Sequence, residues 1–104
     1  MNLVYSEDSV GDLVRLRQFI EQHNAVAAAR IAHELVTRIE RLREFPLLGT
    51  PVPQEHEPKV LRDMVFGNYI VRYAAHPETV FILRIWHTRE DRSDAEPFAA
   101  GRRP

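Results

Sequence analysis

A chain of 104 residues with 44% apolar side chains, a formal net charge of −1 and no cysteine has the length for one domain that buries roughly 60–70% of the surface its unfolded form exposes. The missing cysteines exclude disulfides, thiolate metal sites and cysteine nucleophiles, and the near-neutral balance lacks the bulk positive field that drives non-specific nucleic-acid binding. No apolar run approaches the ~20 residues of a membrane span, and the opening MNLVYSEDS carries no export signal, so the expected location is the cytoplasm.

Residues 2–5 read as a short strand that ends at Ser6-Glu7-Asp8-Ser9, where either serine can cap a helix and the acids suit its positive end. A first helix is expected over 7–22. Its apolar face holds Val10, Leu13, Val14, Leu16, Phe19 and Ile20, with Asp12, Arg15, Arg17, Gln18 and Glu21 mostly outside. His23-Asn24 breaks the pattern, and Asn24 caps a second helix over 25–45, in which Ala28, Ile31, Ala32, Leu35, Ile39 and Leu42 recur at spacings of three and four. The short link and the small residues from Ala25 to Ala29 predict an antiparallel helical hairpin, and Pro46 ends it.

The segment 46–58 holds four of the seven prolines and Gly49 without periodicity, which predicts an ordered surface connection. Three strands are expected beyond it, over 60–65, 69–74 and 80–86. Phe66-Gly67-Asn68 and residues 75–79, with Pro77 inside, supply the turns. The predicted fold is α+β, a helical hairpin packed on a small, mainly antiparallel sheet in the order β-α-α-β-β-β. It forms one domain over 1–92, followed by a tail over 93–104 with little expected structure.

The last strand carries the chemistry. Strict alternation puts Phe81, Leu83, Ile85 and His87 on one face and Val80, Ile82, Arg84 and Trp86 on the other. The strand then stops in a charged rim of His87, Arg89, Glu90, Asp91 and Arg92. Histidine exchanges a proton near neutral pH, and arginine grips phosphate or carboxylate with a planar fork. Thirteen arginines against the single Lys59 favour such directional contacts, with protein carboxylates as well as with RNA. His23, His33, His56 and His76 lack ligand spacing, so neither a metal nor a cofactor is expected.

Five blocks resemble the RelE/ParE superfamily of toxins from type II toxin–antitoxin pairs. They are Tyr5-Ser6 with Asp12-Leu13; Leu42, Phe45-Pro46 and Gly49; Val60-Leu61-Arg62; Tyr69-Ile70-Val71-Arg72-Tyr73; and the run from Ile82 to Arg92. The resemblance implies two competing activities. One branch cuts messenger RNA in the ribosome, and the other blocks DNA gyrase without cutting anything. RelE-like chains are basic, with lysines before the sheet and often a tyrosine or histidine near the C-terminal end. Here the connection has only Lys59, no tyrosine follows Tyr73, and Arg62 lies seven residues before Tyr69, a spacing similar to the ParE branch.

RNA cleavage by 2′-hydroxyl attack needs a base, an acid and cations on the phosphate. His87 with Arg62 and Arg89 are the candidates, joined by Arg84, but an acid is hard to find and Glu90 and Asp91 oppose the field. The expected function is therefore a ParE-like gyrase inhibitor neutralised by a cognate antitoxin. The alternatives are a ribosome-dependent endoribonuclease and a degenerate relative that binds only antitoxin. Arg62, Arg72, Arg84, Trp86, His87 and Arg89 are the candidate contacts with target or antitoxin. Most also have a purely structural reading: Arg72 and Arg84, which pair with acids or meet a partner, can instead be a solvated arginine pair, Trp86 and the pair Tyr69 and Tyr73 core aromatics, His87 a strand-end hydrogen bonder, and Arg89-Glu90-Asp91-Arg92 a self-neutralising charged turn.

Overall fold

The computed structural model describes residues 1–53 and 61–90; the expected strand start at Val60, and Lys59, His56, Asp91, Arg92 and the tail over 93–104, lie outside them. Helix α1 (Glu7–Glu21) and helix α2 (Ala25–Glu40) lie between strand β1 (Asn2–Tyr5) and a one-turn 3₁₀ segment, Arg41–Arg43; β2 (Thr50–Pro51), β3 (Leu61–Phe66), β4 (Tyr69–Ala75) and β5 (Thr79–His87) follow. The five strands form one sheet in the order β1-β5-β4-β3-β2. Only the β1–β5 pair is parallel. No helix among the described residues is long and apolar enough to cross a membrane.

Both helices start where the sequence places a cap. The Ser6 side chain accepts from the Ser9 N–H and the Asn24 side chain from the Ala27 N–H, each at 3.0 Å, which satisfies donors that have no intrahelical partner. The second helix stops earlier than predicted. Arg41–Arg43 tighten into 3₁₀ geometry, with the Glu44 N–H donating to the Arg41 carbonyl, and the path ends before Pro46, which disfavours the α-region for the residue before it.

The helical hairpin covers one face of the sheet. Leu16, Leu35, Ile39 and Leu42 form one cluster with Met64, Tyr69, Val71, Tyr73, Val80, Ile82 and Ile85. Burying each such side chain contributes roughly 1.5–3 kcal/mol, so packing holds helices that would be marginal alone. The broad apolar face predicted for α1 is narrower in the fold. Val10, Val14 and Phe19 are exposed, while Ser9 and Asp12, the latter placed outside that face, are buried.

Two further sequence expectations are corrected. The connection 46–58 contains the short edge strand β2, paired through Thr50 with Asp63 and Pro51 with Arg62. Alternation along β5 also fails, because Arg72 pairs with Arg84 whereas Tyr73 pairs with Ile82. Leu83 is thus one residue too many, a β-bulge that shifts the side-chain phase. Val80, Ile82 and Ile85 therefore all face the core. By contrast the turn predicted at Phe66-Gly67-Asn68 is present but tighter, with Phe66 paired with Tyr69 as the end of β3 and Gly67-Asn68 alone joining it to β4; Gly67 has φ 58°, where a side chain would be strained.

Candidate functional site

β1 pairs with β5 only as far as Tyr5 and Ile82, which leaves the second half of β5 as an open edge. Side chains take over there. The Ser6 N–H donates to the Ile82 carbonyl at 2.9 Å and its hydroxyl to the Leu83 carbonyl at 3.0 Å. Asp12 accepts the Ile85 N–H at 2.7 Å, Arg15 donates to the Ile85 carbonyl at 3.2 Å, and Glu90 accepts the His87 N–H at 2.9 Å. A bare edge would invite another strand; this one is closed by α1 and by the turn after β5.

The charges that close it neutralise one another. Arg84 donates two hydrogen bonds to Asp12, at 2.8 and 3.0 Å, and Arg15 donates a third. Arg15 also grips both oxygens of Glu90 at 2.9 and 3.0 Å. Burial pushes the Asp12 carboxyl up, but the hydrogen bonds from Arg84, the Ile85 N–H and Arg15 outweigh it, and the net direction is down. The same contacts, against desolvation, hold Arg15 and Arg84 more firmly charged than usual.

Of the predicted contact residues, Arg62, Arg72 and Arg84 point their charges inward. Arg72 binds Asp63 through two nitrogens, at 2.8 and 2.9 Å, and lies 5.2 Å from the ring centroid of the fully buried Trp86. Arg62 donates to the carbonyls of Gly49 and Leu47, at 2.6 and 3.3 Å, and so holds the connection after α2. The same connection is pinned by Tyr73, whose hydroxyl donates to the Pro46 carbonyl and accepts the Gly49 N–H, both at 2.8 Å.

His87 and Arg89 do come together. The Arg89 N–H donates to His87 Nδ1 at 3.0 Å, and the His87 ring meets Tyr69 edge-on with centroids 5.0 Å apart. A ring nitrogen that accepts carries no proton, so neutral His87 holds its proton on Nε2. Arg89 is exposed and makes no side-chain ion pair among the described residues. The six predicted residues therefore form three separate groups and not one site: Arg62 at the connection, Arg72 with Trp86 on the sheet face away from the helices, and His87 with Arg89 at the end of β5, where Arg84 turns back to α1.

Asp12, Arg15 and Glu90, which organise this end of the molecule, are not among the candidate contacts that the sequence marks. A signal exists for Asp12: Ser9, Asp12 and Leu16 recur at three and four, the spacing of a buried stripe. Nothing local marks Glu90 as the partner of Arg15, because the two meet only when the last strand lies along the first helix.

The arrangement agrees with known folds. A solved chain from a chromosomal ParDE toxin–antitoxin system of P. aeruginosa superposes with a TM-score of 0.70 at 17% identity, over 84% of this chain and 95% of that one. A chain of the toxin–antitoxin complex RelBE2 of Mycobacterium tuberculosis does so with a TM-score of 0.64 at 24% identity, over 83% and 95%. In sequence, the chain is 31% identical to Toxin RelE2 of Caulobacter vibrioides over 86 residues, which is 82% of this chain and 92% of that protein. The model of the ParE toxin of type II toxin–antitoxin systems, parDE, matches residues 3–92, and the chain belongs to that family.

Proposed function

We propose that this protein poisons growth by binding, with DNA gyrase in the cytoplasm as its target and a cognate antitoxin as its neutralising partner. The observation that carries this reading is the commitment of the four arginines on the sheet and along its edge. Arg15, Arg72 and Arg84 are held by the internal carboxylates of Glu90, Asp63 and Asp12, and Arg62 by backbone carbonyls. Stabilising a scissile phosphate needs cations and donors aimed at the ligand; these four are aimed into the fold. Glu90, the acid beside His87, already receives Arg15 and a backbone N–H. Membership of the ParE toxin family supports the same reading.

A second reading, a ribosome-dependent endoribonuclease, is favoured by the likeness to a protein named Toxin RelE2 and by the meeting of His87 with Arg89. Titrating the purified protein into a gyrase supercoiling assay, and in parallel onto ribosomes carrying a message, separates the two. Inhibited supercoiling with intact message is expected. Replacing His87 by Gln should leave that inhibition within a few-fold, whereas loss of a proton-transfer group costs a nuclease on the order of 10²-fold or more. Codon-specific cuts abolished by His87→Gln would replace the gyrase reading with the nuclease.

A further inference from the structure

Two neighbouring clefts meet where α2 runs into the 3₁₀ segment. One, of about 280 Å³, lies between that end of the helix and β3 and has Asp63 in its lining; the other, of about 260 Å³, is lined in part by His33 and Glu34. Arg38 and Arg41 line both. They are exposed and three positions apart, a spacing that sets helical side chains next to each other.

The two stand apart from the other arginines in what holds them. Arg15, Arg72 and Arg84 have carboxylate partners inside the fold, Arg17, Arg30 and Arg43 pair with Glu21, Glu34 and Glu40 on its surface, and Arg62 donates to carbonyls. Arg38 and Arg41 have neither kind of partner among the described residues. The acids of the clefts do not neutralise them, because Glu34 lies 3.6 Å from Arg30 and Asp63 receives two nitrogens of Arg72. Arg38 is nevertheless placed: its guanidinium lies 4.7 Å from the centroid of the Phe66 ring, a contact that restrains the group and leaves its donors open.

Adjacent cations of this kind suit a phosphate backbone. A duplex carries one phosphate per ~3.4 Å of axis on each strand, so guanidinium groups rooted about 5–6 Å apart meet one phosphate or two in succession, whereas a carboxylate is filled by a single fork. Single-stranded RNA is held largely through bases stacked on aromatic faces. Phe66, the ring beside this cleft, is already engaged by Arg38 and by Tyr69, whose centroid is 6.4 Å away. Contacts to a duplex backbone need no such platform.

We infer that Arg38 and Arg41 bind the phosphate backbone of duplex DNA, as a second contact of a protein whose first partner is gyrase. A chain of net charge −1 gains little from DNA alone through two cations. Where gyrase already holds DNA, the same contact becomes intramolecular and adds affinity. The inference rests on the gyrase reading for the source of the DNA.

The test is fluorescence anisotropy of a short labelled duplex titrated with the full chain at low salt. Arg38→Gln and Arg41→Gln are compared with Arg17→Gln, which removes the same charge from the surface of α1. Each cleft variant should bind several-fold more weakly and lower the log–log salt slope by about 0.9, while Arg17→Gln stays near the parent. All three side chains are exposed, and unchanged melting temperatures keep the comparison one of binding. Equal weakening by Arg17→Gln would reduce the effect to net charge and overturn the assignment; tighter binding of single-stranded RNA, or equal binding of poly-glutamate, would overturn duplex phosphate as the ligand. No binding by the unsubstituted chain would overturn the inference and leave the gyrase reading to its supercoiling assay. In that assay the double variant should require several-fold more protein, and parent-like inhibition would overturn the contact's part in the gyrase complex. Duplex binding by a chain that does not inhibit gyrase would support the cation pair and overturn the gyrase reading alone.

Discussion

Asp12 accepts the backbone N–H of Ile85 at 2.7 Å, across 73 positions of chain. A helix side chain thus stands in for the strand that β1 would have been had it continued past Tyr5. Because the same carboxylate also holds Arg84 and Arg15, the first helix, the last strand and the turn carrying His87 are tied through one buried acid.

Asp12→Ala should be among the most destabilising single changes in the chain. It leaves Arg84 and the Ile85 N–H without their acceptor, a loss of about 3–5 kcal/mol for breaking a buried pair, comparable with much of the stability of an ordinary domain. Urea unfolding followed by circular dichroism measures it; a loss under about 1 kcal/mol would mean that water or a shifted neighbour replaces the carboxylate.

The same residue sets an acid limb. With its folded pKa held below the ordinary value of 3.8, Asp12 contributes stability that is fully present above the unfolded-state pKa and is lost as pH falls through the lower, folded value. Urea midpoints taken from neutral pH into this acid window should fall more steeply for the parent than for Asp12→Asn, which starts less stable and has no carboxyl there to titrate. Parallel acid limbs in the two proteins would contradict this assignment.

At the connection after α2, Tyr73→Phe removes the acceptor of the Gly49 N–H and the donor to the Pro46 carbonyl, with an expected cost of about 1–3 kcal/mol. Gly49→Ala should also destabilise, because an added Cβ would lie 2.7 Å from the Asp63 carbonyl oxygen and 2.8 Å from the Tyr73 hydroxyl. Thermal melts of the two variants check both, and an unchanged midpoint for Gly49→Ala would show that the connection yields freely.

The turn at His87 depends on a clamp from α1. Glu90→Ala removes both the acceptor of the His87 N–H and the partner of Arg15, so the His87 amide should exchange with solvent about tenfold faster or more, while the Val71 and Tyr73 amides at the centre of the sheet keep their protection. Hydrogen exchange followed by NMR reads this directly, and unchanged exchange at His87 would remove Glu90 from the clamp.

For Asp63→Ala the expected effect is a loss of about 1–3 kcal/mol together with altered Trp86 fluorescence, since Arg72 is held over that ring by Asp63. Trp86 is the single tryptophan of the chain, so the signal is unambiguous. Emission identical to the parent would show that Arg72 keeps its place without its acid.

Local information in the sequence is enough for the helix starts at Ser6 and Asn24, the turn at Gly67-Asn68 and the order of all the elements but the short edge strand β2, because caps, turns and periodicity depend on near neighbours. It is enough, too, to single out His87 and Arg89 at the end of the last strand. What it cannot give is the partner of each charge. The apolar residues of α1 leave Asp12 outside their face, and only the packing of α1 along the open edge of β5 gives that carboxylate its partners, Arg84 and Ile85. The bulge at Leu83 is equally invisible, since β5 alone reads as simple alternation, and its phase shift follows from pairing with β4. Chain-local chemistry determined the elements; long-range pairing decided that Arg15, Arg72 and Arg84 turn to the carboxylates of Glu90, Asp63 and Asp12, while Arg89 stays exposed at the end of the last strand.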